Sequence, residues 1–317
     1  MTLNLAERQH GARAGTLHVH ALMLFASLTV AGSFVASAAI TDRLDPGVLN
    51  LIRFAIAAGA MGIIVGIRYG IGWPGFAALG RYAILSAPLV AFFWSLFEGL
   101  RTTTALNTSA VLTVVPGLSA IAAALLIKER LGWAKIVALL IGLVGALWVI
   151  FRGDPARLLS LSINPGDGIY LAGCVAMAFY NPLARKLHRG EPAPVVTFWV
   201  LATSLFWFLI ASNVHLATTD WGGIALSTWG GLVYLALLPT VVTFFAYQYA
   251  TLRIGPTRVT AYYYISPTLV VLLEWALGRG LPTAMTLPGV VIVIAASFVI
   301  ERGAATPAAS LKSERAE

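Results

Sequence analysis

Hydrophobic residues occur along this chain in long runs of about twenty, separated by short polar segments. A helix that crosses a bilayer needs about 20 mostly apolar residues, so each run predicts one membrane-spanning helix. The runs cover approximately residues 17–40, 47–67, 82–100, 105–127, 132–151, 167–185, 194–213, 230–250, 257–278 and 283–301. The longest connecting segments are 152–166 and 214–229. The first run is not a signal peptide, because similar runs follow it with only short loops between them. The pattern therefore predicts an all-α polytopic membrane protein with ten spans.

Composition agrees with this prediction. Of the 317 residues, 59% are hydrophobic and 11% are charged, and the mean hydropathy is +0.84. A soluble domain has about 25% charged residues, so this chain has too few to cover a water-facing surface. The net charge of +8 comes from basic residues scattered singly between apolar runs. Nucleic acid is therefore not an expected partner, because its binding needs a basic patch.

The distribution of lysine and arginine predicts the orientation, since loops on the cytoplasmic side are enriched in both. With the N-terminus in the cytoplasm, that side holds Arg8, Arg13, Arg68, Arg81, Lys128, Arg130, Lys135, Arg185, Lys186, Arg189, Arg253, Arg258, Arg302, Lys312 and Arg315. The other side holds Arg43, Arg101, Arg152, Arg157 and Arg279. Both termini, including the tails 1–16 and 304–317, are therefore expected to be cytoplasmic.

Three pairs of segments indicate an internal duplication. Residues 92–101 read FFWSLFEGLR and residues 244–253 read FFAYQYATLR, an offset of 152. Pro116 corresponds to Pro267 at an offset of 151, and ALWVIFRG at 146–153 corresponds to ASFVIERG at 296–303 at an offset of 150. The pairs follow the same order, so we predict two five-helix repeats, at 17–152 and 166–303. Five is an odd number, so the second repeat enters the membrane inverted, which is a transporter architecture.

These residues also resemble the EamA-type carriers of the drug/metabolite transporter superfamily. The resemblance rests on TTTALNTSAVLTVVPGLSAIAAALLIKERL, which contains Pro116, Glu129, Arg130 and Leu131, and on DPGVLNLIRF, which contains Arg53. It covers approximately residues 17–303 and implies a bacterial inner-membrane carrier, most similar to aromatic amino acid exporters of the YddG type. The second half departs from the pattern, because it reads ALGRGLP where a second Glu-Arg-Leu is expected. Its acid lies inside the helix, at Glu274.

Among the charged residues within predicted spans, three are candidates for a functional role: Arg53, Glu98 and Glu274. A charge in the hydrocarbon costs at least about 2.5 kcal/mol on insertion scales, so each needs a partner or a water-filled cavity. At about 1.5 Å per residue, all three fall in the outer half of the membrane. Arg53 is expected to pair with Glu98 or Glu274, either as a structural ion pair or as an outer gate. Contact of Arg53 with a substrate carboxylate is the remaining interpretation.

Aromatic and polar residues in several spans are candidates for a substrate cavity. Aromatic residues also favour membrane interfaces, which accounts for part of the set. Three consecutive tyrosines point in directions about 100° apart, so at least one is expected to face the bundle interior. The candidate cavity residues are Trp94, Tyr180, Asn181, Tyr247, Gln248, Tyr262, Tyr263 and Tyr264.

Pro116 and Pro267 lie near the middle of two corresponding spans. Each removes a backbone donor and leaves a carbonyl to be satisfied by a neighbour or a cavity water. A hinge or cavity role is expected for both, with simple kinking as the alternative.

Signals for catalysis are missing from the sequence. No GxxxxGK[ST] or HExxH motif is present, and the histidines lie near helix ends or loops. Cys174 is the single cysteine, which excludes a cysteine-rich metal site. We therefore expect no enzymatic activity, no cofactor and no bound metal.

The expected function is export of small amphipathic metabolites by alternating access, with aromatic or other apolar amino acids preferred. The expected partners are this small-molecule substrate and membrane lipid, and the chain is expected to act as a monomer. Export of cationic compounds is an alternative, because cation–π contacts would use the same rings. A membrane scaffold or sensor with a transporter-like fold is a second alternative.

Overall fold

The computed structural model of the chain describes residues 5–128, 133–150, 153–156, 164–254, 259, 262–280, 284–289, 291–292 and 295. The regular secondary structure of these residues is helical, and no β-strand occurs among them. The helices are α1 (Leu5–Ile40), α2 (Pro46–Arg68), α3 (Phe76–Leu100), α4 (Ala105–Leu112), α5 (Val115–Ile127), α6 (Trp133–Ile150), α7 (Pro165–Leu187), α8 (Ala193–Thr218), α9 (Leu226–Ala236), α10 (Thr243–Ile254) and α11 (Ser266–Ala276). A π-helical turn, Leu237–Val242, joins α9 to α10. The 3-10 turns are Thr41–Arg43, Tyr262–Ile265 and Ala284–Thr286.

Several helices of the described part are long and apolar enough to cross a membrane. They form six segments: His18–Arg43, Pro46–Arg68, Phe76–Leu100, Ala105–Ile127, Ala193–Thr218 and Leu226–Tyr247. The predicted fifth and sixth spans correspond to α6 and α7, and the ninth contains α11. Most of the predicted tenth span lies outside the described residues. The all-helical membrane architecture is confirmed, and the total of ten spans stays a prediction.

Helix starts follow from short polar residues next to proline. Asp45 precedes α2, and its Oδ1 accepts hydrogen bonds from the backbone N–H groups of Gly47 (2.8 Å) and Val48 (3.2 Å). Asn164 precedes α7 and accepts one from Gly166 at 2.9 Å. Proline follows each capping residue, at the position where its missing N–H costs nothing. These caps fix where α2 and α7 enter the bundle.

The helices alternate in direction, so the bundle has two ends. The proximal end holds His18, where the apolar segment of α1 begins, the Arg81–Glu191 contact, and Arg253 at the end of α10. The distal end holds the α1–α2 turn, the end of α3 and the start of α7, where Asn164 donates a hydrogen bond to the carbonyl of Thr102. These two names are used below.

Packing joins the two predicted halves in matching pairs of contacts. α3 packs on α7, and α10 packs on α1; α5 packs on α7, and α11 packs on α1. α2 packs on α8, and α4 packs on α11. Each half therefore buries its apolar faces mainly against the other.

Glycine permits the closest of these helix contacts. At the α3–α7 crossing, a Cβ on Gly99 would lie 2.7 Å from the carbonyl oxygen of Gly166. A Cβ on Gly173 would overlap the hydroxyl of Ser95, one turn further into the bundle. Small residues at these positions let the backbones approach, which is how helices associate in lipid.

Prolines mark three helix irregularities. The turn at Thr113 and Val114 separates α4 from α5, and Pro116 lies in the first turn of α5. Pro267 likewise lies in the first turn of α11, after the 3-10 turn Tyr262–Ile265. The π-helical turn contains Pro239, which cannot donate to the helical ladder. The predicted mid-span prolines therefore start new helical segments rather than bending continuous ones.

Candidate functional site

A central cavity of about 360 Å³ lies between the two halves. Its wall includes residues of α1, α2, α3, α7, α8 and α10, together with the π-helical turn. Ligand pockets measure roughly 300–1,000 Å³, so the volume suits a small metabolite. The site is therefore an intramembrane chamber formed by helices of both halves.

Aromatic rings dominate the cavity wall. The aromatic lining residues are Phe34, Phe54, Phe92, Phe93, Tyr180, Phe244, Tyr247 and Tyr263. Tyr247 and Tyr263 lie with their ring centroids 5.5 Å apart. The hydroxyl of Tyr247 is buried and has no hydrogen-bond partner among the described residues. An apolar or aromatic ligand group would find complementary surfaces here.

Polar groups occupy fewer positions on the same wall. They are Ser33, Arg53, Asn181, Thr197, Thr240 and Thr243. Among the described lining residues, no aspartate or glutamate is present and Arg53 supplies the single charge. The electrostatic character of the described wall is therefore cationic.

Arg53 lies on α2, two turns from the helix start, and only 1% of it is exposed. Its Nη2 donates a hydrogen bond to Thr240 Oγ1 at 3.1 Å. Its guanidinium carbon lies 4.4 Å from the ring centroid of Phe93 and 6.0 Å from that of Phe54. Nε and Nη1 have no hydrogen-bond partner in the described part of the chain. The side chain is thus held by Thr240 and by the two phenylalanine rings, and two of its buried nitrogens have no acceptor in the described part of the chain.

The predicted pairing of Arg53 with an outer acid is not formed. Glu98 lies 3.6 Å from Arg101, and Glu274 lies 3.8 Å from Arg279, nitrogen to oxygen. Glu98 sits within one turn of the end of α3, whereas Arg53 is about 10 Å along α2 from its start, at 1.5 Å per residue. The Phe93 ring covers the guanidinium on the side of α3. Each acid therefore has its own arginine near the distal end.

Trp94 does not line the central cavity. It contributes instead to a distal pocket of about 830 Å³, together with Glu98, Arg101, His215 and Asp220. The neighbouring residue Phe93 lines the central cavity. Consecutive residues of an α-helix point in directions about 100° apart, so Phe93 and Trp94 face different surroundings.

The three consecutive tyrosines separate in the structure. Tyr263 lies on the cavity wall. Tyr262 is buried among Val19, Met23 and Ala250 near the proximal end, and its hydroxyl lies 2.6 Å from His20 Nδ1. The side chains of Tyr264 and Gln248 lie outside the described residues, as do Glu129, Arg130 and Leu131. Tyr180, Asn181 and Tyr247 join Tyr263 on the wall.

A polar clamp connects the two halves at the proximal end. Arg81 at the start of α3 donates hydrogen bonds to the carbonyl of Leu187 and to Glu191 Oε1, both at 2.8 Å. Glu191 lies in the loop between α7 and α8, and its Oε2 accepts a hydrogen bond from the backbone N–H of Arg189 at 2.8 Å. Partial desolvation opposes the charged form, but the donated hydrogen bonds outweigh it and lower the pKa of Glu191 to about 2.

A second proximal contact joins α1 to α10. The Nε2 atom of His18 lies 3.1 Å from Arg253 Nη1 and 3.1 Å from the Tyr249 hydroxyl. The Arg253 guanidinium carbon also lies 4.0 Å from the Tyr249 ring centroid. Together with the clamp, this contact joins the halves on both sides of the proximal end.

A buried carboxylate joins the halves at the distal end. Asp167 near the start of α7 accepts hydrogen bonds from Thr103 Oγ1 and from Asn107 Nδ2. Contact between the halves at the distal end therefore depends on specific polar contacts as well as on glycine packing.

Thr240, the hydrogen-bond partner of Arg53, is a site residue that the sequence interpretation did not single out. Comparison of the two predicted repeats indicates an irregularity next to Thr240. Pro239 corresponds to Pro88 at an offset of 151. Four or five residues later, Phe92 corresponds to Phe244 at an offset of 152. The second segment is longer by one residue at the point where the π-helical turn lies. A π turn accommodates one additional residue and occurs frequently at functional sites.

No group of three or more His, Cys, Asp or Glu side chains that could hold a metal occurs within the described ranges. The central wall also offers no cluster of such groups.

Comparison with known sequences identifies the family. The sequence model of the EamA-like transporter family matches residues 18–151 and again residues 164–302. The chain belongs to the EamA-like transporter family. The resemblance found in Pro116 and Arg53 is thus confirmed at the level of the family.

Individual relatives of this EamA-like chain are distant and nearly full-length. The uncharacterized transporter YyaM of Bacillus subtilis is 23% identical over 283 residues, which cover 88% of this chain and 92% of the relative. A probable terminal-alkyne amino-acid exporter of Streptantibioticus cattleyicolor is 28% identical over 281 residues, covering 87% and 90%. A crystal structure matches with a TM-score of 0.62 and 19% identity over 93% of this chain and 99% of its own. That structural likeness shows the fold alone.

Proposed function

We propose that this chain exports small amphipathic metabolites, preferably aromatic or other apolar amino acids, across a bacterial inner membrane. The observation that carries the proposal is the central cavity, which combines an aromatic wall with a few polar groups. Sites of this composition bind the apolar part of a ligand on the rings and orient it through the polar groups. The similarity to an amino-acid exporter supports the same substrate class.

Alternating access by two inverted five-helix repeats, residues 17–152 and 166–303, is part of this proposal. Support comes from the two separate matches of the family model and from the paired packing contacts of α3 with α7 and α10 with α1. Helices of both repeats contribute to the cavity wall, as expected for a carrier whose halves move around a central site. The proximal end is proposed to be cytoplasmic, because it carries most of the lysine and arginine.

The helix breaks at Pro116 and Pro267 are the proposed hinges. The break before Pro116 divides the predicted span 105–127, and the break before Pro267 divides the predicted span 257–278. Each break separates the part of its span near the distal end from the part near the proximal end. A short segment without regular α-helical hydrogen bonds absorbs changes of backbone angle at low cost. Movement at the two breaks would open one end of the cavity while the other stays closed.

The charge of the cavity favours amino acids over cationic compounds. Arg53 on the wall repels a quaternary ammonium group, and no described lining residue is acidic. A zwitterion or an anion experiences attraction at the same position. Cation–π contacts with the tyrosines would have to overcome this repulsion.

Transport by purified protein in liposomes tests the proposal. We expect concentration-dependent movement of radiolabelled phenylalanine and leucine, and none of tetraphenylphosphonium or methyl viologen above empty liposomes. Movement of the cations alone would indicate the cationic-compound exporter. Absence of movement for every compound would favour a membrane scaffold or sensor.

A further inference from the structure

Arg53 is buried in a way that leaves part of its guanidinium unsatisfied. It is 1% exposed, and Nη2 donates to Thr240 Oγ1 while Nε and Nη1 lack acceptors among the described residues. A buried charge without a partner is costly, and each unsatisfied group of this kind needs an explanation. The unpaired N–H groups belong to a residue that lines the central cavity.

The surrounding groups position the cation but do not neutralise it. Phe93 lies against the guanidinium, with its ring centroid 4.4 Å from the central carbon, and Thr240 holds Nη2. Thr240 is itself fixed, because its hydroxyl donates to the carbonyl of Leu235 at 2.8 Å. A planar guanidinium fixed in this manner is preorganised for a carboxylate, which matches its geometry and supplies the missing charge.

The rest of the wall has no comparable group for an ammonium. Asn181 and the tyrosine hydroxyls are neutral, and no acid side chain lines the described wall. An α-ammonium group therefore meets only neutral acceptors on the described wall, whereas a carboxylate meets a group of opposite charge. The two charged groups of an amino acid contribute unequally.

We propose that Arg53 is the binding group for a substrate carboxylate, and that the cavity accepts small apolar or aromatic carboxylates whether or not they carry an α-ammonium group. The apolar part of the ligand then packs on the tyrosine side of the wall, against Tyr247 and Tyr263. This inference rests on the proposed transport function and defines its substrate class. Amino acids are one member of the class, and the corresponding amines are excluded.

A series of three ligands tests the wild-type protein without any mutation. The ligands are 3-phenylpropionate, phenylalanine and phenethylamine, which share a ring and differ in the carboxylate and the ammonium. Isothermal titration in detergent at neutral pH should give binding of both acids within about tenfold of each other, and at least tenfold weaker binding of the amine. Equal binding of the amine, or binding of phenylalanine without 3-phenylpropionate, would overturn the inference.

Substitutions then assign the preference to Arg53. Arg53→Gln should lose at least tenfold in affinity for both acids, whereas binding of phenethylamine should not weaken, because the charge that repels its ammonium group is removed. Arg53→Lys, which keeps the charge without the planar fork, should recover part of the affinity. Arg101→Gln, a distal change away from the cavity, is the matched control and should bind as the wild type does. An unchanged preference for acids in Arg53→Gln would show that Arg53 does not bind the substrate carboxylate.

Proteoliposome uptake separates failure of this inference from failure of the proposed function. If acids bind in the predicted order but none is transported, the carboxylate site stands and the transport function fails. If phenylalanine is transported equally by wild type and Arg53→Gln, the transport function stands and the assignment of Arg53 fails.

Discussion

Thr240 accepts a hydrogen bond from Arg53, and the two residues lie on different halves of the chain, 187 positions apart. The contact ties the π-helical turn Leu237–Val242 to α2 at the cavity wall. It gives the buried guanidinium its one described hydrogen bond.

Thr240→Val should weaken transport and stability together. Valine has nearly the same shape but no acceptor, so a charged donor loses its partner at a cost of about 1–3 kcal/mol. The half-saturating concentration of phenylalanine in proteoliposomes should rise by roughly tenfold, because Arg53 loses its fixed orientation. Thr243→Val is the matched control, because Thr243 also lines the cavity but bonds only to the carbonyl of Pro239. Equal effects of both changes would show that the loss of the Arg53 contact does not cause the weaker transport and stability.

A double-mutant cycle distinguishes this contact from the pairing expected at the sequence level. Arg53→Gln combined with Thr240→Val should show a coupling free energy of about 1–2 kcal/mol in thermal or denaturant unfolding. Arg53→Gln combined with Glu98→Gln or with Glu274→Gln should be additive within about 0.5 kcal/mol. Coupling to either acid instead would indicate a state in which the outer ion pair forms.

Tyr263→Ala and Tyr262→Ala should have different consequences although the residues are adjacent. Tyr263 lines the cavity, so its loss should reduce phenylalanine affinity by about tenfold or more, an effect of at least about 1.4 kcal/mol. Tyr262 packs with α1 and α10, so its truncation should cost about 3–5 kcal/mol of stability, as for other buried aromatics. Titration of ligand into the purified variants, with melting temperatures measured in parallel, checks both. Similar affinity in the two variants would count against the proposed wall.

Glu191→Gln should destabilise the protein by about 1 kcal/mol near neutral pH, because the Arg81 pair is only partly buried. The folded-state pKa of Glu191 is depressed to about 2 from the usual 4.5. The carboxylate therefore contributes stability above about pH 4.5, and this contribution is lost as the pH falls toward about 2. Unfolding of wild type and variant at a series of pH values should show a difference that is constant above pH 5 and shrinks below 4.5. A difference that grows in acid would contradict the assigned pair.

Gly173→Ala should destabilise the α3–α7 crossing by about 1–3 kcal/mol, because the added methyl overlaps Ser95 and the crossing must shift. Ser95 has little freedom to move, since its hydroxyl donates to the carbonyl of Phe92 at 2.9 Å. Gly168→Ala on the same helix is the control, because a Cβ there meets nothing within 4 Å. It should be neutral or stabilising by up to about 1 kcal/mol through higher helix propensity. Melting temperatures of the purified variants decide between the two outcomes.

The sequence predicted the depth of residues along the helices better than their direction around them. Apolar run length located the helices and placed Arg53 well inside α2, and these features agree with the structure. Direction requires knowledge of which helices are neighbours, so Trp94 was grouped with the cavity although Phe93, one position earlier, lines it. The same limit applies to Arg53, whose partner was sought among acids at similar depth. Its actual partner is a neutral hydroxyl placed by an irregular turn.

The π-helical turn has a kinetic consequence for the carrier proposed above. A carrier with perfect twofold symmetry would offer its ligand the same surroundings from either face of the membrane. Here one additional residue in the second half places Thr240 against Arg53 of the first half, and no equivalent contact with the two halves exchanged occurs among the described residues. The two open states therefore hold a ligand unequally, and the half-saturating concentrations measured from the two faces should differ. In a carrier without coupling to a second gradient, net flux follows the substrate gradient, and the inequality then sets the concentrations at which the carrier saturates rather than the direction of transport.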